Sequence, residues 1–320
     1  MKVITVTINP ALDREFIVED FTVNELHRIA HYKDIVMSPG GKGINVSVAL
    51  AKLRVQSIAI GILGGYIGRV LLMELSKISP LISTSFVHID QETRENISII
   101  DPRNHTLTEI NSPGPIVEKH ALDLLLKRYE IYLSRAEVVV LSGSLPPNLQ
   151  GDVYGQFAKI AKQKNKQVFM EVTDEYIKQA LQIQPPDVIR PDVRERNVVL
   201  GKELLTLDDY VQAALELVRM GCKLSVISYQ VKSNIVATKE GVWLITTPSE
   251  VEISNLLGAG DAYVAAMVYK KLSEPTSELI EVAKFGYAAA LAKTKKPPKE
   301  MPDYEDIRNS LQECQIERLR

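Results

Sequence analysis

The chain has 320 residues, of which 45% are hydrophobic and 24% are charged, and its formal net charge is −2. This length and composition allow one large α/β domain to bury a complete core. The near-zero net charge argues against a nucleic-acid or membrane-surface partner, and no apolar run of the sequence approaches the length of a membrane span.

Short runs of β-branched residues alternate with helical patterns along the chain. Such alternation is typical of a parallel sheet with flanking helices. The first residues favour a strand rather than a signal sequence, and the two cysteines have the spacing of neither a metal site nor a disulfide framework. We therefore expect a cytoplasmic protein. The predicted strands are residues 3–8, 57–62, 138–141, 167–172 and 224–228.

Two stretches, residues 14–37 and 95–109, break this rhythm. Both alternate like strands and are polar on one side, and neither contains the long helical crossover that parallel strands require. They predict a small antiparallel lid. The composition shows no linker, so we expect residues 1–320 to form a single domain, with a turn at Pro297 and Pro298 before a last polar helix.

A glycine-rich run at residues 38–51 leads into an apolar helical pattern and predicts an anion site at a helix start. Lys42 supplies a point charge for phosphate, and Asn45, one turn into the helix, can hydrogen-bond sugar hydroxyls. The run is not a Walker A loop, because glycine rather than serine or threonine follows the lysine. The glycines that flank the lysine are Gly40, Gly41 and Gly43.

The most informative run is Gly258-Ala259-Gly260-Asp261, ahead of a second helical pattern. Two glycines allow a tight turn that aims N–H groups at one point, where the helix dipole adds attraction for negative charge. Asp261 places a carboxylate base beside this anion hole, which suits proton abstraction from a hydroxyl that attacks a phosphoryl group. The alternative is that the four residues only start a well-capped helix.

Four runs of the chain, in matching order and spacing, resemble the PfkB family of ribokinase-like sugar kinases. They are residues 7–13, 38–51, 141–147 and 255–269. Three motifs are similar to the branch that phosphorylates sugar phosphates, which includes 1-phosphofructokinase and tagatose-6-phosphate kinase. These are Asn-Pro-Ala-x-Asp at residues 9–13, Gly-Gly-Lys-Gly-x-Asn at 40–45 and Thr-Arg-x-Asn at 93–96.

The resemblance implies a ribokinase-like α/β fold with three α/β/α layers, a mainly parallel central sheet and a small antiparallel β lid over the sugar site. It also implies that Asp261 is the catalytic base and that Gly258, Ala259 and Gly260 form the anion hole. Lid strands of the family often pair between subunits, so the resemblance implies a homodimer through the lid.

On the substrate side, the resemblance implies that Asp13 accepts hydrogen bonds from two sugar hydroxyls, whereas a loop cap is its alternative role. Lys42 and Arg94 would hold the phosphate already on the sugar, although Arg94 could equally be a surface charge. The predicted substrate-binding residues are Asp13, Gly40, Gly41, Lys42, Asn45, Arg94 and Asn96.

On the nucleotide side, relatives commonly have glycines where this chain has Gln230 and Ser233. Side chains at these positions either crowd a loop that works through exposed N–H groups, or Gln230 and Lys232 contact the phosphates instead. The predicted nucleotide-binding residues are Ser228, Gln230, Lys232, Gly258 and Gly260.

The family motif associated with magnesium corresponds here to Asp192 and Glu195. Two carboxylates are competent for a hydrated magnesium ion, which takes only one or two of them and keeps several waters. Glu195 could equally be a solvated helix residue.

The sequence therefore predicts a kinase that uses ATP and Mg²⁺ to phosphorylate a ketose phosphate, with fructose 1-phosphate as the leading substrate. Tagatose 6-phosphate and fructose 6-phosphate remain open, because the geometry of the lid decides the position of one hydroxyl or phosphate. A sugar-phosphate-binding regulatory protein without turnover is the alternative of another class.

Overall fold

The computed structural model describes residues 2–297 and 300–320, so Pro298 of the predicted turn lies outside the described residues. The strands are β1 (Val3–Thr7), β2 (Ala11–Ile17), β3 (Ile35–Gly40), β4 (Ser57–Gly64), β5 (Ile82–Ile89), β6 (Arg94–Asp101), β7 (Thr106–Asn111), β8 (Val138–Ser142), β9 (Gln167–Glu171), β10 (Val188–Ile189), β11 (Val198–Val199), β12 (Lys202–Glu203), β13 (Leu224–Tyr229), β14 (Ser233–Thr238), β15 (Gly241–Thr246) and β16 (Gln315–Arg318).

The α-helices are α1 (Lys42–Lys52), α2 (Gly65–Ile78), α3 (Lys119–Leu133), α4 (Asp152–Gln163), α5 (Asp174–Ile183), α6 (Leu207–Arg219), α7 (Ala259–Ser273), α8 (Leu279–Thr294) and α9 (Tyr304–Leu311). Two short 3-10 turns lie at Tyr32–Asp34 and Ile253–Asn255. None of the helices in residues 2–297 and 300–320 is both long enough and apolar enough to span a membrane.

Ten strands form the central sheet in the order β16-β15-β14-β13-β10-β9-β8-β1-β4-β5. The seven strands from β13 to β5 are parallel to one another, whereas β14, β15 and β16 extend the sheet with antiparallel pairing. All five strands predicted from β-branched runs lie in the parallel part, so this prediction is confirmed. The carboxyl ends of parallel strands meet at one edge, which is where ligands bind in open α/β sheets.

Helices cover both faces of this sheet because successive side chains of each strand point to opposite faces. In β1, Ile4 and Val6 pack with α3 to α6 in one buried cluster, whereas Val3 packs with α1, α7 and α8 in another. The predicted three-layer arrangement is therefore confirmed.

The lid is a separate four-stranded sheet in the order β3-β2-β6-β7. β2 with β3 and β6 with β7 pair antiparallel as predicted, but the central pair, β2 with β6, is parallel. The crossover that a parallel pair requires lies between the two lid stretches, through α1 and α2, so inspection of each stretch alone misses it. The first predicted stretch is also not a continuous strand, because β2 ends at Ile17 and β3 begins at Ile35.

The two faces of the lid differ in chemistry because side chains alternate along each strand. One row across the sheet joins Ser38, Asp13, Asn96 and Asn111, and it faces the body of the protein. The adjacent row points outwards and is mostly apolar. It joins Met37, Arg14, Ile97 and Ile110.

Candidate active site

Two cavities meet under the lid, at the carboxyl edge of the central sheet. The small cavity has a volume of about 180 Å³ and is lined by lid and β1-end residues that include Asp13 and Arg94. The large cavity has a volume of about 920 Å³ and lies beneath the ends of β9, β10 and β13. Residues that line both cavities include Lys42, Gly258 and Asp261. The start of α7 is therefore the junction between them.

Steric contacts dictate both glycines at the start of α7. Gly258 has φ +85°, a left-handed conformation that side chains rarely adopt. A Cβ on Gly260 would lie 2.7 Å from Oε1 of Glu171 and 2.9 Å from Nη1 of Arg190. Ala259 already uses its N–H in a turn, donating to the carbonyl of Leu256 at 3.0 Å. Through Gly260, the helix start is packed directly against the buried ion pair of Glu171 and Arg190.

Asp261 lies in the first turn of α7 and is only 5% exposed. Asn45 donates a hydrogen bond from Nδ2 to Oδ2 of Asp261 at 2.9 Å. Its other oxygen, Oδ1, is buried and has no hydrogen-bond partner in the part of the chain that the structure describes. Burial raises the pKa of Asp261 to about 6, Lys42 opposes this shift, and Glu171 adds to it. A raised pKa and an oxygen without a partner among the described residues are properties that suit a general base.

Lys42 begins α1 and lies between two carboxylates. Its Nζ is 3.0 Å from Oδ2 of Asp192 and 3.5 Å from Oε1 of Glu171. Burial and Arg194 lower the pKa of Lys42, but Asp192, Glu171 and Asp261 more than compensate, so the net shift is upwards. The ammonium is therefore fully charged at the junction of the cavities, and its predicted contact with the sugar phosphate stays a prediction.

The small cavity gathers the remaining predicted substrate residues. Asn96 donates from Nδ2 to Oδ1 of Asp13 at 2.9 Å, and a Cβ on Gly40 would lie 2.1 Å from Oδ2 of the same carboxylate. Gly41 has φ +109° and also lines this cavity. Arg94 is held by two main-chain carbonyls, with Nε 3.2 Å from Asn9 O and Nη1 2.9 Å from Ser112 O.

The predicted nucleotide residues divide into two groups. Ser228 and Gln230 line the large cavity, and Gln230 has φ +57°, the left-handed conformation that a glycine adopts without strain. Ser233 closes the same turn by donating to the carbonyl of Tyr229 and does not line the large cavity. Lys232 lies outside both cavities and pairs instead with Glu250, at 3.3 Å.

The chain matches the model of the pfkB family carbohydrate kinases over residues 10–300. It belongs to this family. It is 31% identical over 264 residues to the 1-phosphofructokinase of Bacillus subtilis strain 168, covering 82% of this chain and 84% of that protein.

Two solved structures have folds similar to that of this chain. A Thermotoga maritima protein named "Possible 1-phosphofructokinase" is 48% identical, with a TM-score of 0.96 over the whole of both chains. Escherichia coli phosphofructokinase-2 in complex with fructose 6-phosphate is 26% identical, with a TM-score of 0.84 over 97% of this chain and 98% of that one. The predicted family and ribokinase-like fold are therefore confirmed.

Kinases usually bind ATP together with magnesium. The carboxylates near the junction of the two cavities could supply only some of the ligands of this ion. The described residues contain no group of three or more acidic, histidine or cysteine side chains that could hold a metal ion. Asp192 accepts bonds from Lys42 and Arg194, which hold its pKa well below its ordinary value against the opposing effect of burial. Oε2 of Glu171 has no hydrogen-bond partner among the described residues, and Glu195 lines the small cavity. These oxygens fit an ion that arrives with nucleotide phosphates.

Sequence patterns assign no role to three charged residues that lie at the centre of this pfkB site: Glu171, Arg190 and Arg194. Glu171 ends β9, and Arg190 follows β10 directly, pairs with Glu171 and donates to Ser228 at 2.9 Å. The usable signal was their place at the carboxyl ends of neighbouring parallel strands. Arg194 lies in a loop, binds both oxygens of Asp192 and lines both cavities, and no spacing marks it in advance.

Asp261→Asn should lower kcat by at least about a hundredfold, because an amide cannot accept the proton of the attacking hydroxyl. In the wild type, kcat should fall as the pH drops through about 6, because the proton then occupies the base. Steady-state ADP release against pH measures both effects. Asp123→Asn, on the exposed side of α3, is the matched control. If Asp261→Asn kept more than a tenth of the wild-type turnover, Asp261 would not be the catalytic base.

Proposed function

We propose that the protein transfers the γ-phosphoryl group of ATP to a fructose phosphate, with fructose 1-phosphate as the leading substrate and fructose 1,6-bisphosphate as the product. One observation carries the proposal: a buried carboxylate with a raised pKa, Asp261, lies where a small polar cavity and a large cavity meet at a helix start. This arrangement suits a donor on one side and an acceptor hydroxyl on the other.

In this proposal the sugar phosphate binds in the small cavity and ATP in the large one. Asp261 takes the proton of the acceptor hydroxyl as its oxygen bonds to the γ-phosphorus, and the bond from phosphorus to the bridging oxygen of ADP breaks. N–H groups at the start of α7 and the Lys42 ammonium stabilise the charge on the transferred group. Magnesium, brought by ATP and contacted by Asp192 or Glu195, would neutralise phosphate charge.

The small cavity has the groups that a sugar phosphate needs. The Asp13 carboxylate and the Asn96 amide form one polar patch for hydroxyls, at a mutual distance of 2.9 Å. Arg94 uses Nε and Nη1 to bind carbonyls, so Nη2 is the nitrogen left for a phosphate oxygen. The guanidinium is thus held in place before the ligand binds.

The sequence identity to the B. subtilis 1-phosphofructokinase and to the T. maritima protein supports fructose 1-phosphate as the leading substrate. Fructose 6-phosphate is the first alternative, because the E. coli neighbour binds it, and tagatose 6-phosphate is the second. These sugar phosphates and ATP are cytoplasmic metabolites, which agrees with the localisation expected from the sequence.

A coupled assay of ADP release with a panel of free and phosphorylated ketoses tests this proposal. The highest kcat/KM should belong to fructose 1-phosphate, and free fructose should be a poor substrate. A higher value for fructose 6-phosphate or tagatose 6-phosphate would reassign the substrate. Binding of a sugar phosphate without ADP release from any member of the panel would favour the regulatory alternative.

Arg94→Ala should lower kcat/KM for the sugar phosphate by about tenfold to a hundredfold, since a hydrogen bond to a charged group contributes about 1.5–3 kcal/mol. The value for free fructose should change much less, because it lacks the phosphate. Arg103→Ala is the matched control: Arg103 is an exposed arginine of the lid, in the turn between β6 and β7, and it pairs with Glu19 at 3.3 Å. Equal losses for both sugars in Arg94→Ala would remove Arg94 from phosphate binding.

We further propose that two copies of the chain form a homodimer through the outer face of the lid. Met37, Ile97 and Ile110 lie in one row there and are 39%, 37% and 58% exposed. Phe16 and Ile99 form part of the next row on the same face. An apolar sheet face that points away from the protein's own core is complementary to a second copy of itself, since a two-fold axis pairs identical patches.

Replacing Ile97 and Ile110 together by Glu should convert a dimer into a monomer, because four buried carboxylates would face one another at the proposed interface. Light scattering coupled to size exclusion measures the mass. Ile131→Glu, at an exposed isoleucine on α3, is the control and should remain dimeric. A monomeric wild type, or a double variant that stays dimeric, would exclude this interface.

A further inference from the structure

Lys293, in the last turn of α8, is a charged side chain with 0% exposure. It lies outside the small and large cavities, and the mechanism above gives it no role. Removing an ammonium group from water is costly unless polar groups replace the water. The groups that bind this ammonium therefore indicate what the protein gains by burying it.

The Lys293 ammonium binds main-chain carbonyls on both sides. Its Nζ is 3.0 Å from Pro297 O, just beyond α8, and 3.3 Å from Asn255 O, in the 3-10 turn that precedes α7. Asn255 returns a contact to the same helix end, donating from Nδ2 to the carbonyl of Thr294 at 3.1 Å. These bonds join the end of α8 to the turn before α7.

This turn leads directly to the start of α7. Leu256 N donates to the carbonyl of Ile253 at 3.1 Å, and Ala259 N donates to the carbonyl of Leu256 at 3.0 Å. The stem of Lys293 reaches the same place, because a Cβ on Gly258 would lie 3.7 Å from Cε of Lys293. Both the charge and the stem of Lys293 thus support the backbone from Asn255 to Gly258.

We propose that Lys293 is a positioning residue for phosphoryl transfer: its ammonium fixes the Asn255 carbonyl and thereby the direction of the N–H groups at the start of α7. The inference rests on the kinase activity proposed above. Because an oxyanion-type site acts through preorganised donors, a loosened turn would reduce kcat more than it changes KM for the sugar phosphate.

The ligand set also predicts a chemical rescue. Carbonyl oxygens around a buried ammonium are the kind of ligands that bind a small monovalent cation. Lys293→Ala removes the four side-chain atoms beyond Cβ and would leave a cavity beside these carbonyls. NH₄⁺ or K⁺ could enter this cavity. Lys293→Met keeps a stem of similar length and removes the charge, so its side chain would keep most of that space filled.

The experiment measures kcat, KM and thermal midpoint for the wild type, Lys293→Met, Lys293→Ala and a control, Lys295→Met. Lys295 lies two residues away and pairs with Glu313 at the surface, at 2.5 Å. We expect kcat of Lys293→Met to fall by about tenfold or more, with KM changed by less than about threefold. Addition of NH₄⁺ or K⁺ should restore kcat of Lys293→Ala saturably, whereas choline at equal ionic strength should not. The control should match the wild type.

Three results would overturn the inference. Unchanged kcat in Lys293→Met is one, and equal behaviour of Lys293→Ala in NH₄⁺, K⁺ and choline is another. A thermal midpoint so low that neither variant folds is the third, because it would assign Lys293 to stability alone. Absence of turnover in the wild type would instead overturn the proposed function, and the inference with it.

Discussion

The balance of buried charge at the carboxyl edge of the central sheet is the constraint on which the site depends. Lys42 lies between Asp192 and Glu171, and Arg190 pairs with Glu171 from the other side. These two cations offset the free-energy cost of burying the two carboxylates in a region of low dielectric. Asp261 is left with a neutral hydrogen-bond donor, Asn45, and burial therefore dominates its pKa. The same network thus leaves one carboxylate with a raised pKa beside two that are paired with cations.

The pleat of the lid links the small cavity to the outer face of the lid. A single residue step along β2 separates Asp13, which faces the small cavity, from Arg14, which faces outwards, and the same step on β6 separates Asn96 from Ile97. The polar inner row and the apolar outer row therefore share one backbone. Any contact that stiffens the outer face of this sheet also restrains Asp13 and Asn96 on the inner face.

Much of this fold can be predicted from sequence, because β-branched runs and glycine-rich helix starts are local signals. The parallel strands and the turns before α1 and α7 are of this kind. The parallel pairing of β2 with β6 is not, since it depends on which distant strand each one meets. The same limit applies to the site: Asp261 and Lys42 lie in recognisable runs, whereas the charges that shift their pKa values lie far along the chain. Glu171, at the end of β9, acts on both groups, and Asp192, in the loop after β10, acts on Lys42.

The start of α7 is supported from two sides, and this explains its sequence without reference to phosphate. On one side, the Glu171–Arg190 pair leaves no room for a Cβ at position 260. On the other side, Lys293 and Met301 lie under Gly258, whose left-handed conformation already disfavours a side chain. A glycine that only served to expose N–H groups would tolerate small movements of its neighbours. Here Gly260 lies against the charged Glu171–Arg190 pair, and Gly258 lies against the Met301 side chain and the stem of Lys293. The ammonium of Lys293 is itself held by two main-chain carbonyls. The packing of the protein therefore sets the geometry of this helix start before any ligand binds.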